Sequence, residues 1–251
     1  NTHCSGVVPN GSITIEINGG AAVADFTIEW FEGNGTSTVL GTTVGSTAGL
    51  NNETAQGLRG GTYTVRVTDN VTPNSGCSVI ASFTVTDNLS YPTPSGTPLA
   101  NTACDPVKSN GSILADVGGT TVGYTFHIFK GQNTLAPNEV TSGAATAANL
   151  DAGIYTVQAI SNATGCSGTT EVTVINNIVL PTIDMTASTM VNSCSTPDGS
   201  ASVTAVSIGV LADYTFSWYQ GNSLKAVADY TGATVNGLSA GKYTVIGRNN
   251  V

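Results

Sequence analysis

Five cysteines are the residues best placed to do chemistry in this chain: Cys4, Cys77, Cys104, Cys166 and Cys194. No two of them are close in sequence, and the two histidines, His3 and His127, lie far apart. Zinc is not expected, because a structural zinc site draws on closely spaced Cys or His pairs. Cys4, Cys104 and Cys194 recur in phase, and Cys77 and Cys166 recur in "SGC" and "TGC". Recurrence of that kind points to oxidative cross-linking in an exported protein rather than to buried free thiols.

Hydrolytic chemistry has little to stand on. The chain has no Gly-x-Ser-x-Gly elbow, no phosphate-binding loop and no His-Glu-x-x-His. Asp25 and Asp213 hold equivalent positions in the repeats, which suits residues that start a strand better than catalytic acids. His127 reads as a surface residue on the strand face opposite Phe126. Calcium loops of the Asp-x-Asp kind are absent, and "TDN" at Thr68 and at Thr86 reads as turn starts. The expectation is a chain with no catalytic residue, no metal and no cofactor. Asn-x-Ser/Thr sequons make Asn10, Asn34, Asn52, Asn70, Asn88, Asn110 and Asn162 candidate glycosylation sites, although Asn-Gly also favours turns.

The elements that must position the cysteines repeat as well. "LRGGTYTVRVTD", "LDAGIYTVQAIS" and "LSAGKYTVIGRN" place Tyr63, Tyr155 and Tyr243 at intervals of 92 and 88 residues. That period suits a whole β-sandwich of about 100 residues. "NGSI" at Asn10 and Asn110, and "DGSA" at Asp198, open segments in which Ile13, Ile15 and Ile17, or Ile113, Ala115 and Val117, alternate with other residues. Alternation with period two predicts a half-buried strand. An aromatic strand follows in each repeat, with Phe26, Ile28 and Trp30, then Tyr124, Phe126 and Ile128, then Tyr214, Phe216 and Trp218 facing inward. Each such strand stops at a glycine: Gly33, Gly131 or Gly221. The Leu-x-small-Gly-x-Tyr stretch is similar to the tyrosine corner of immunoglobulin-like domains.

The reading is all-β: three tandem immunoglobulin-like β-sandwiches at 1–97, 98–187 and 188–251, joined in a rod by stiff linkers. "YPTPSGTPLA" from Tyr91, with three prolines, is read as one linker and "LPTID" from Leu180 as the other. First and last strands of a sandwich are neighbours, so the expected disulfides are Cys4–Cys77 and Cys104–Cys166. Cys194 is left unpaired within the chain, because the matching late cysteine and closing strand of the third repeat would fall beyond Val251. A continuation of the polypeptide is the favoured source of that strand, ahead of a neighbouring subunit.

Taken in order, the early Cys, "NGSI", Gly-Gly, the aromatic strand ending in Gly, "LxAGxYTV" and the late "GC" resemble the SprB-type repeat of large surface proteins in gliding Bacteroidetes. The resemblance implies an exported, non-catalytic, cell-surface or filament-forming protein. Bulk composition agrees with an extracellular setting. Charged residues are 9%, against about 25% in ordinary domains. The formal net charge of -9 disfavours nucleic acid and anionic membrane as partners, and no apolar run is long enough to insert in a bilayer. The expected partners are neighbouring domains or subunits of the same filament, with surface glycans as a further class. Two alternatives stand beside this reading. One is a carbohydrate-binding array using Phe31, Phe129 and Tyr219, although their recurrence suits packing. The other is a set of accessory domains of a larger secreted enzyme.

Overall fold

The computed structural model describes residues 1–4, 7–17, 23–40, 53–189, 191–193 and 195–250. The sequon at Asn52 and the cysteine at Cys194 lie outside the described residues. The chain divides into two compact units, Asn1–Ile178 with the first two repeats and Val179–Val251 with the third.

In repeat one, β1 (Gly11–Thr14) pairs with β3 (Thr54–Leu58), and β4 (Gly61–Asp69) lies between β2 (Phe26–Glu32) and β5 (Ser78–Val85). Repeat two is fuller. Its strands are β6 (Pro94–Leu99), β7 (Gly111–Val117), β8 (Tyr124–Lys130), β9 (Glu139–Ser142), β10 (Thr146–Leu150), β11 (Gly153–Ser161) and β12 (Ser167–Val174). They form one sheet in the order β10-β7-β6 and a second in the order β12-β11-β8-β9. Repeat three has β13 (Ile183–Thr189), β14 (Gly199–Val206), β15 (Tyr214–Gln220), β16 (Tyr230–Thr231), β17 (Thr234–Leu238) and β18 (Tyr243–Asn249). Its sheets run β13-β14-β17 and β16-β15-β18. Each core is closed between two antiparallel sheets, as in Ile13, Ala55 and Leu58 against Ile28, Trp30 and Val65. The fold is an all-β series of immunoglobulin-like sandwiches.

Trp30 and Trp218 are buried, each opposite the valine of its Tyr-Thr-Val strand. One position deeper the packing compensates by size across the strand pair: Ile28 faces Val67, Phe126 faces Ala159, and Phe216 faces Gly247. A Cβ on Gly247 would lie 2.9 Å from the Phe216 ring and 3.1 Å from Ile183. Gly247 therefore breaks the strand pattern in sequence while fitting the packing in space.

The recurring motif has a hydrogen-bonding reason. Tyr63, Tyr155 and Tyr243 each donate their hydroxyl to the carbonyl four residues upstream, at Arg59 (3.0 Å), Asp151 (3.0 Å) and Ser239 (3.1 Å). The next residue, Thr64, Thr156 or Thr244, donates to the carbonyl of Gly33 (2.7 Å), Gly131 (2.7 Å) or Gly221 (2.8 Å). Those glycines hold φ of 81°, 91° and 98°, a region costly for any side chain.

The domain boundaries and the linker reading of residues 91–100 shift. The boundaries at 97/98 and 187/188 fall inside β6 and β13, which pair with β7 and β14 of the repeats they lead into. The prolines made β6 look like a linker. Pro94 and Pro98 are tolerated because β6 is an edge strand. In repeat three, no strand lies beside the outer edge of β18 among the described residues. Tyr243, Thr244 and Val245 are accordingly half-buried, whereas Tyr155, Thr156 and Val157 are buried.

Candidate functional site: the cysteine junction between repeats

The loop that carries Cys4 is built by asparagines. Asn1 donates its amino group to the Thr86 carbonyl (2.7 Å), and Asn88 N–H donates to the Asn1 carbonyl (2.8 Å). Asn10 accepts from Thr2 N–H through Oδ1 (2.8 Å) and donates from Nδ2 to Thr2 Oγ1 (2.7 Å). The loop of Cys104 repeats this bond for bond. Asn101 N–H donates to Ile175 (2.9 Å), Asn177 N–H to Asn101 (2.8 Å), and Asn110 makes the same pair of bonds with Thr102 (2.8 Å each). In the third repeat Asp198 accepts from Asn192 N–H (2.9 Å) at the matching place.

The late hairpins match too. Asp69 N–H donates to the Cys77 carbonyl and Ser161 N–H to the Cys166 carbonyl, both at 2.9 Å. Asn70 N–H donates to Asp25 and Asn162 N–H to Gly123, again both at 2.9 Å. Thr27 with Asn70, and Thr125 with Asn162, brace the two hairpins from the side.

This arrangement overturns the expected pairs Cys4–Cys77 and Cys104–Cys166. The early loop is tied to the end of the closing strand, at Thr86–Asn88, while Cys77 precedes its start at Ser78. The eight residues of β5 separate them by roughly 27 Å at 3.4 Å per residue, far beyond the few ångströms a disulfide spans. Instead Cys4 bonds to Cys166 of the next repeat, with a Cα–Cα distance of 4.9 Å. The backbone follows, since Cys4 N–H donates to the Thr164 carbonyl (2.8 Å). Cys166 is fully buried and Cys4 nearly so. Cys77 and Cys104 are free and exposed.

Elsewhere the candidate residues take structural places. Asp25 ends a short turn before β2, and Asp213 accepts from Val210 N–H (2.9 Å) at the same point of repeat three. Asp69 accepts from Val71 N–H (2.8 Å), and Asp87 from Gly60 N–H (2.9 Å), so both "TDN" stretches brace turns. His127 lies on the outer face of β8 but is half-buried, with Nδ1 at 2.6 Å from Glu139 Oε1, and that hydrogen bond holds the Glu139 carboxyl below its usual range. Phe31 and Phe129 are buried, with Arg66 over the Phe31 ring at 5.3 Å, and Tyr219 is half-buried. Among the sequons, Asn10, Asn70 and Asn110 use their side-chain amides as loop braces, while Asn34 and Asn88 are exposed and Asn162 accepts from Thr125. Among the described residues, no three His, Cys, Asp or Glu side chains gather as metal ligands, and no helix is long and apolar enough to cross a membrane.

The asparagine braces were missed in sequence. Their signal was present as "NTHC" and "NTAC", each followed six residues after the cysteine by the Asn of "NGS".

No family model and no curated protein matches the chain. Two of the solved structures found similar to it are murine CEACAM1b and the three N-terminal domains of the Highly Immunogenic Outer Capsid protein (Hoc) of bacteriophage RB49. The first is 13% identical, covering 61% of this chain and 85% of its own, with a TM-score of 0.28. The second is 13% identical, covering 95% of this chain and 82% of its own, with a TM-score of 0.30. The fold assignment above rests on the sheets, the cores and the tyrosine corners of this chain.

Proposed function

We propose that this chain is a non-catalytic structural or adhesive protein of the cell exterior, an array of immunoglobulin-like repeats of the kind its SprB-like motifs imply. The observation that carries the reading is the bond between Cys4 and Cys166. A disulfide that closed one sandwich would only stabilise that sandwich. This one ties two successive sandwiches together across their connection, which is useful where the junction itself must resist separation. A disulfide of this kind suits an oxidising, extracellular compartment. Neighbouring repeats or subunits are the partners this reading favours. The buried Phe31 and Phe129 give little support to rings stacking on sugars. Antibody labelling of intact source cells, followed by negative-stain imaging, tests the proposal. Surface-attached fibres carrying the label are the expected result, and label confined to the cytosolic fraction would sink it.

A further inference from the structure

Among the described residues, repeat one has an open groove where repeats two and three have a strand. In repeat two, β6 runs along the outer edge of β7, with Gly96 opposite Ala115 and Pro98 opposite Ile113. In repeat three, β13 runs along β14. The equivalent edge of β1 carries no strand among the described residues, and β1 extends for four residues where β7 extends for seven. Beside it lies a groove of about 370 Å³ lined by Ile15, Ile17, Val67, Val79, Ala81 and Phe83. Phe83, Ala81 and Val79 stand on the face of β5 that continues the core, opposite Tyr63, Val65 and Val67. Phe83 is 39% exposed and Val79 66%. In repeat two the residue equivalent to Phe83, Val172, is 7% exposed because β6 covers it.

Exposed Cys77 sits at the start of the same strand, in the hairpin geometry that Cys166 uses to bond Cys4. Two separate features of repeat one, a bare core edge and an unpaired hairpin cysteine, are thus the two features by which repeat two holds its neighbour. We propose that this face of repeat one is the docking site for a further repeat of the same kind. The connection leading out of that repeat lies along β1 and runs on into Asn1, and its early-loop cysteine forms a disulfide with Cys77 by thiol–disulfide exchange, a disulfide oxidant of the cell exterior taking up the two electrons and two protons that the two thiols give up.

Local chemistry defines the strand. Asn1 is bonded to Thr86 as Asn101 is to Ile175, so a strand joined to Asn1 reaches β1 in the register β6 has on β7. A Cβ on Gly96 would lie 2.7 Å from Val172 and 3.2 Å from Ile113. Phe83 and Ile13 hold those places in repeat one, so the strand needs glycine there too. Ser95 donates to Asp116 (2.9 Å), and Glu16 offers a carboxylate at the matching position. Val79 replaces Gly168, over which the Pro92 carbonyl lies, so close approach begins one step later, at the Pro94 position.

This proposal deepens the tandem-array reading and rests on it, but its test is separate from cell-surface localisation. The 251-residue chain is compared with a version carrying a copy of Thr93–Ala100 directly before Asn1. A third version carries the same copy with Gly96→Leu. Hydrogen exchange at residues 12–17 and 79–83 should slow at least tenfold in the extended chain and not in the leucine version. Unchanged exchange, or equal protection by the leucine version, overturns the proposal. A concentration-dependent dimer of the unextended chain that protects the same amides assigns the groove to a second copy and also overturns it. Peptide mapping of protein purified without reductant from its source should recover Cys77 bonded to an early-loop cysteine of another repeat. A Cys77–Cys104 bond within one chain, or Cys77 recovered as a free thiol, counts against the docking face.

Discussion

Trp30 is 3% exposed and fills repeat one between Val65 and the opposing sheet. Trp30→Ala should destabilise that repeat by about 3–5 kcal/mol in urea unfolding, because the cavity cannot fully collapse. A loss below about 1 kcal/mol would mean that the indole is not a core group. The threonine of the motif carries a smaller, more specific effect. Thr156 is 5% exposed and donates to Gly131, so Thr156→Val should cost about 1–2 kcal/mol through the bare carbonyl it leaves. Asp151 links this corner to pH. The hydrogen bond from Ser109, and then Lys130 at 3.0 Å, hold its carboxyl below the usual range of 3.8. A carboxyl depressed in the folded state contributes stability above its unfolded pKa, and that contribution disappears as pH falls through the folded value. Asp151→Asn should therefore flatten the fall in Tm with pH below about 4 while leaving the slope near neutrality unchanged. An identical acid limb in wild type and variant would rule this out.

At the scale of elements, much was legible because each motif residue answers to a fixed backbone bond that recurs in every repeat. The tyrosine reaches back four residues within its own turn, while the threonine beside it donates to the glycine that ends the aromatic strand next to it in the sheet, from Thr64 across to Gly33. Periodicity likewise revealed the inward sets around Trp30 and Trp218. What stayed hidden was decided between repeats. Nothing local to Cys4 distinguishes a partner in its own hairpin from one in the next, since Cys77 and Cys166 occupy equivalent turns. The leading strand was hidden for another reason: "PSGTPL" carries the signature of a linker, and only its place on a sheet edge lets two prolines pair. That strand can be tested where it is present. Gly96→Leu in repeat two should destabilise it by about 1–3 kcal/mol, because the new side chain meets Val172 and Ile113. Faster hydrogen exchange in β7 and β12 is the expected local sign, and unchanged protection there would show that β6 is not closing the core.

At the scale of the whole molecule, the cross-repeat bond changes what a pulling force can reach. Cys4 and Cys166 are 162 residues apart in sequence, and the segment between them contains most of both repeats of the first unit. Force applied through the chain ends passes across the bond, so that segment cannot be drawn out while the bond is intact. In single-molecule stretching, reduction should add roughly 550 Å of extensible length, at about 3.4 Å per residue. The bond also limits the unfolded ensemble. Chain entropy alone sets a ceiling near 5 kcal/mol for a loop of this size, so reduction should lower the unfolding midpoint of repeats one and two. The third repeat lies outside the loop and should keep its own midpoint. A Cys4→Ser chain should behave in oxidising buffer as wild type does when reduced. If the extensible length of wild type does not change on reduction, the bond does not shield the repeats, and its place at their junction has another purpose than bearing load.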